Sequence, residues 1–126
     1  MQKIYYLGAC STCARILKEW GKGVKDFEKQ DVKTEAITPA QLDQMKALAG
    51  SYEALFSRVA LKYRAWKLGE QKLTEKDYRD YILKEYTFLK RPVMINGKSI
   101  FVGNAPKVVA AAKASLKWKR LLPDMK

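Results

Sequence analysis

The sequence predicts an α/β fold built on a mixed sheet, and three stretches carry that reading. A β-branched and aromatic run, Lys3-Ile4-Tyr5-Tyr6-Leu7, leads through Gly8 into a helix-like segment that opens at Ser11-Thr12. A long middle stretch has helical periodicity and almost no strand character. Near the end, Val93-Met94-Ile95 and Ile100-Phe101-Val102 flank Asn96-Gly97, the strongest short hairpin signal. The order is strand, helix, strand, then helices, then two strands and a final helix.

The elements follow one by one. In the first helix Ala14, Leu17 and the pair Ile16 and Trp20 fall at helical spacing, and Gly21 and Gly23 mark its end. Residues 24–32 have weak strand character and give a second strand, parallel to the first in a β-α-β unit. Thr38-Pro39-Ala40-Gln41 is a helix start: Thr38 caps, Pro39 fits the first turn, and Gln41 completes a capping box. Leu42, Met45 and Leu48 or Ala49 are its apolar stripe. Residues 52–68 read as helix, in one piece or two, through Leu55, Phe56, Val59, Ala60, Tyr63 and Trp66. Thr74 to Asp77 caps another helix, which runs on through Tyr78, Tyr81, Ile82, Glu85 and Tyr86. The aromatics here are expected in a core. Pro106 opens the last helix, with Val108, Val109, Ala112, Leu116 and Leu121 on its apolar side, and residues 123–126 form a loose tail.

At 126 residues, 48% of them apolar, the chain is long enough to bury one core. It is expected to be a single domain over 1–126, with residues 1–37 and 87–120 as core and 38–86 as a helical insert. No apolar run has the length of a membrane span and the N-terminus has no signal-peptide pattern, so the cytoplasm is the expected compartment.

Cys10 and Cys13 stand where the first strand hands over to the helix. Free backbone N–H groups and the positive end of the helix dipole stabilise an anion there, which favours a thiolate at Cys10. Cys13 lies one turn on, within reach as a resolving thiol. A zinc site is disfavoured, since structural zinc takes four ligands and the chain has no other cysteine and no histidine. The missing histidine also excludes Ser-His and Cys-His catalysis. Activation must come from the helix and from cations.

The net charge is +12, and no acidic residue occurs between Glu85 and Asp124. Such a field favours anionic partners: oxyanions, glutathione-like thiols or acidic proteins. Direct nucleic-acid binding rests on charge alone and is not expected.

The element order, with C-x-x-C after the first strand, is that of a thioredoxin-like (glutaredoxin-like) fold, a mixed four-stranded sheet with helices on both faces. Cys10-Ser11-Thr12-Cys13-Ala14-Arg15, the helical insert, and Arg91-Pro92-Val93-Met94-Ile95 with its hairpin together resemble the arsenate reductase/Spx family. Gly50 followed eight residues later by Arg58 is a fainter shared spacing. The resemblance implies that Cys10 is the nucleophile, with Arg58 and Arg91 beside it and a cis bond between Arg91 and Pro92. Ser11, Thr12 and Pro92 would contact substrate. No cofactor is implied; glutathione, glutaredoxin or thioredoxin would serve as external reductant. Two departures stand out. The glutaredoxin-coupled reductases use one cysteine and three arginines, and the third arginine falls where this chain has Val102-Gly103-Asn104. The second cysteine and the Gly103 pattern resemble the Spx-like regulators, which bind RNA polymerase and use C-x-x-C as a redox switch. The expected activity is that of an arsenate-reductase-like thiol–disulfide oxidoreductase, with a redox-sensing regulator as the alternative and arsenate turnover in doubt.

Overall fold

The computed structural model describes residues 1–120; the expected role of Leu121 and the tail 123–126 lie outside the described residues. The first run forms β1 (Gln2–Tyr6), and β2 (Glu28–Asp31) lies parallel to it, with Lys3 opposite Glu28 and Tyr6 opposite Asp31. β3 (Val93–Asn96) pairs antiparallel with β1, and β4 (Ser99–Val102) antiparallel with β3. The mixed four-stranded sheet therefore has the order β2-β1-β3-β4. Its parallel pair needs a crossover, and α1 (Ser11–Trp20) supplies it.

The hairpin turns one residue later than expected. Asn96 pairs with Ser99, so the two loop residues are Gly97 and Lys98. Gly97 has φ 67 and Lys98 has no positive φ, the pattern of a II′ turn with glycine first. Asn96 is thereby kept in the strand, where its side chain bonds Gln2 and Ser115.

The chain divides into two compact units, Met1–Asp31 with the chain from Arg91 onward, and Val32–Lys90. In the first, Ile4 and Met94 point from the sheet onto Ile16 and Trp20 of α1 and onto Val109, Ala112 and Leu116 of α5 (Pro106–Arg120). Val24 and Phe27 complete this cluster. The Trp20 indole N–H donates to the Val109 carbonyl at 3.2 Å, so the ring is buried without an orphaned donor. The buried stripe of α1 is Cys13, Ile16 and Trp20, while Ala14 is exposed. The stripe is rotated from the expected one because Cys13 takes the inward place in the first turn.

The second unit holds α2 (Pro39–Ala49), α3 (Leu61–Ala65) and α4 (Glu75–Lys84). Both expected helix starts are complete capping boxes, Thr38 with Gln41 and Thr74 with Asp77. Residues 52–68 do not form one long helix; of the two readings, the two-piece one is nearer, with helical turns at Glu53–Leu55 and Leu61–Ala65. A 3₁₀ turn at Glu53–Leu55 gives way to extended chain, and Phe56 bridges Leu89. The Ser57 N–H donates to Phe88 O at 2.7 Å and the Lys90 N–H to Leu55 O at 2.9 Å. Those cross-chain bonds replace the helical ones, which leaves α3 five residues long. Phe56 stacks on Phe88 with ring centroids 5.1 Å apart and meets Tyr78 and Tyr63, an aromatic core as expected. Val59, assigned above to the apolar stripe, is instead 91% exposed. α4 ends at Lys84, two residues short of the expected stretch, because the Glu85 carboxylate accepts from the Thr87 N–H and starts a 3₁₀ turn. No helix among the described residues is long and apolar enough to cross a membrane.

Candidate functional site

β1 stops at Tyr6, and a tight turn brings the chain to the start of α1. The Cys10 N–H donates to the Leu7 carbonyl at 3.0 Å, and the Gly8 N–H to Asp31 Oδ2 at 3.2 Å. A Cβ on Gly8 would lie 2.5 Å from that carboxylate oxygen, so a larger residue there would push the Asp31 side chain aside and loosen this contact. Asp31 at the end of β2 thus braces the cysteine loop, a role that sequence reasoning missed. Nothing in local pattern marks it, since it depends on which strand lies beside β1.

Cys10 itself is the N-cap of α1, with extended φ −91 and ψ 118, and its carbonyl accepts from the Ala14 N–H at 3.1 Å. Ser11 is the first helical residue. The neutral Cys10 thiol makes no capping hydrogen bond, yet its pKa is lowered from the ordinary 9.0. The Cys13 backbone N–H does most of this, and partial burial works against it. The Thr12 N–H, the Cys13 thiol and the positive charge of Arg91 add smaller lowering effects. The reason is that these helix-start donors favour the anion, which accepts hydrogen bonds that a thiol sulfur accepts poorly.

Cys13 behaves oppositely. It is 1% exposed, and burial pushes its thiol pKa up. The Leu7 backbone opposes that rise, while the neighbouring Cys10 charge adds to it. Both cysteines are free thiols. Two adjacent sulfurs, one half-buried and acidified and one buried and held neutral, can present a single thiolate with a second thiol in reserve.

Ser11, Thr12, Arg91 and Pro92 belong to the same unit as the cysteines. The Arg91-Pro92 bond is cis. Pro92 is buried, and its carbonyl accepts from the Gly103 N–H at 2.9 Å. Gly103 has φ 93, in the left-handed region where a side chain is strained. Arg58 belongs to the other unit, where it bonds Glu53 Oε2 at 2.7 Å and the Tyr78 hydroxyl at 3.0 Å. Among the described residues no group of three or more His, Cys, Asp and Glu side chains is placed to hold a metal ion.

Comparison with solved structures gives the same architecture. A protein from Yersinia pestis is 15% identical with a TM-score of 0.74, over 88% of this chain and 99% of that one. The arsenate reductase from Vibrio cholerae is 15% identical with a TM-score of 0.73, over 87% and 97%. An arsenate reductase (ArsC) related protein from Brucella melitensis is 21% identical with a TM-score of 0.65, over 87% and 92%. At such identities the likeness shows the thioredoxin-like fold. None of the curated proteins compared with the chain matches it. The family model of the ArsC family matches residues 5–112, which takes in the cysteine loop, the helical unit and the hairpin. With most of its length inside that match, the chain belongs to the ArsC family.

Proposed function

We propose that this chain is an arsenate-reductase-like thiol–disulfide oxidoreductase of the cytoplasm, with Cys10 as nucleophile and Cys13 as resolving thiol. The observation that carries the reading is the opposite tuning of two sulfurs one helical turn apart. The Cys10 thiolate attacks one sulfur of an oxidised thiol, forms a mixed disulfide and releases the other sulfur as a thiolate. Once Cys10 is bonded it carries no charge, so the smaller part of the rise in the Cys13 pKa that came from that charge is relieved, while burial still raises it. Cys13 then gives up its proton, attacks the Cys10 sulfur and releases the second substrate thiol, which leaves a Cys10–Cys13 disulfide. Two equivalents of a monothiol such as glutathione, or one redoxin dithiol, take up that oxidation and restore both cysteines.

In this reading Arg91 and the N–H groups of the Ser11-Thr12 turn hold an anionic substrate group beside Cys10. Pro92 shapes the adjoining backbone. Arg58 joins the set by family resemblance alone. The two units work as one domain, a thioredoxin-like core carrying a helical insert.

A second reading, a redox-sensing regulator that binds RNA polymerase, is favoured by the Gly103 region. Its N–H is committed to Pro92, and the residues directly after β4, Gly103-Asn104-Ala105, include no arginine. Mixed disulfides trapped on Cys13→Ser in a cell extract, identified by mass spectrometry, test both. Small thiols or redoxins, with turnover of the wild type under a thiol reductant, are the expected result. Polymerase subunits and no turnover would replace the enzyme with the regulator.

A further inference from the structure

Arg58 apart, the second unit carries a feature that this chemistry does not use. An open cavity of about 500 Å³ is lined by Arg58, Val59, Leu61, Tyr63, Arg64 and Lys67, among others. Val59 and Leu61 are 91% and 89% exposed, the most exposed large apolar side chains among the described residues. Single exposed apolar residues are ordinary, but here two of them alternate about Ala60 on the rim of one cavity. The floor is fixed. The Tyr63 ring packs edge-on against Phe56 at 6.1 Å, and a Cβ on Gly69 would come within 3.4 Å of the Tyr63 hydroxyl. Lys67 holds a left-handed φ of 56, which a lysine keeps only where the surroundings hold it there.

The charges at this cavity are unbalanced. Arg58 is paired with Glu53, but Arg64 and Lys67 are exposed and have no carboxylate partner among the described residues. Glu70 is the one acid in the lining. A surface that offers two apolar side chains together with uncompensated cations is complementary to an acidic chain that also carries bulky apolar residues. A small inorganic anion would leave Val59 and Leu61 in water.

We propose that this cavity is a docking site for an extended acidic segment of a partner protein, whose apolar side chains cover Val59 and Leu61 while its carboxylates meet Arg64 and Lys67. The probe is a fluorescein-labelled peptide in which glutamates alternate with leucines, read by fluorescence polarisation on the full chain. It is expected to bind, and Arg64→Glu with Lys67→Glu, or Val59→Ser with Leu61→Ser, is expected to weaken it by about tenfold or more. These side chains are exposed, so the variants should fold; Arg64→Gln with Lys67→Gln repeats the charge test more gently. A control peptide with serines for leucines should bind at least about tenfold more weakly. Equal binding of that control would reduce the effect to the chain's general positive charge and overturn the proposal. No binding, or wild-type affinity in both double variants, would also overturn it. Complete displacement of the peptide by free succinate would assign the cavity to a small dianion instead.

Discussion

The two units hold their charged groups in different ways. In the sheet-bearing unit the acidified group, Cys10, owes most to the Cys13 backbone N–H, with Arg91 last among the influences named. In the helical unit several charged groups are instead matched by other side chains, although Asp77 is held mainly by the Thr74 backbone N–H and Arg64 and Lys67 have no carboxylate partner among the described residues. Arg58 pairs with Glu53, Arg79 with Asp43, and Lys62 bonds Glu85. The first arrangement resists most substitution, because of the standard residues only proline removes a backbone N–H from a helix start. The second can be dismantled one residue at a time. The helical unit also draws its core from rings, with Phe56 in contact with Tyr63, Tyr78 and Phe88.

The largest expected effect is on that ring cluster. Phe56 is fully buried, so Phe56→Ala should cost about 3–5 kcal/mol, counting lost transfer energy and the cavity left behind. Urea unfolding followed by amide exchange in β1 and in α4 measures it and tests whether the units unfold together. Coincident loss of protection supports a single domain. If α4 loses protection while β1 keeps it, the units are energetically separate and the one-domain reading fails.

Next comes the position after β4. An arginine at Gly103 would have to adopt φ 93, and the Gly103 N–H is already given to Pro92 O. Asn104 is exposed and free of that constraint, so it is the place to supply the missing cation. One added charge-assisted contact is worth roughly 1.5–3 kcal/mol, about one to two decades in affinity. Wild-type arsenate reduction, followed as NADPH oxidation through glutathione and glutaredoxin, should be weak, and Asn104→Arg should raise it. Robust wild-type turnover at low arsenate would show that two arginines suffice.

Much of this was legible in the sequence because it is local. The capping boxes at Thr38 and Thr74, the strand before Gly8 and the cysteine pair at a helix start all depend on neighbours a few residues away. What escaped depends on distant chain. Residues 52–68 carry apolar side chains at helical spacing, but Ser57 and Lys90 bond across to residues more than thirty positions away, and the helix breaks. The Asp31 brace on Gly8 needs β2 beside β1. The hairpin shows a subtler limit: Asn-Gly marked the presence of a turn, but placed it one residue early, because Asn96 pairs with Ser99 and the loop is Gly97-Lys98.

A smaller effect is expected at Arg91. Arg91→Gln removes the last of the influences that lower the Cys10 pKa and leaves the helix N–H groups in place. The pH midpoint of Cys10 alkylation should therefore rise slightly and stay below the ordinary thiol value of 9.0. Cys10 should still be labelled before Cys13, whose midpoint lies above that value. A midpoint restored fully to 9.0 would mean that the guanidinium, not the backbone, acidifies Cys10, and the contrast between the units would collapse.

The smallest effect tests the side-chain half of the contrast. Asp43 on α2 accepts from Arg79 Nε at 2.8 Å and Nη2 at 3.2 Å, and from the Tyr52 hydroxyl at 2.6 Å. The Arg79 hydrogen bonds, followed by that of Tyr52, hold its carboxyl at about 2, against an ordinary 3.8. A lowered carboxylate pKa stabilises the folded chain above the unfolded value, and the gain is lost as pH falls through the folded one. For Asp43 the window therefore runs from 3.8 down to about 2. Both partners face water, so solvent screens the pair and its contribution to stability is small. The midpoint is the sharper readout. Followed by NMR of its carboxyl carbon, Asp43 should titrate near 2 in the wild type and move toward 3.8 in Arg79→Gln. Tyr52→Phe should move it less, because that hydroxyl is the second influence and carries no charge. A midpoint that stayed near 2 without the guanidinium would place the cause in the α2 backbone, and Asp43 would then be tuned as Cys10 is.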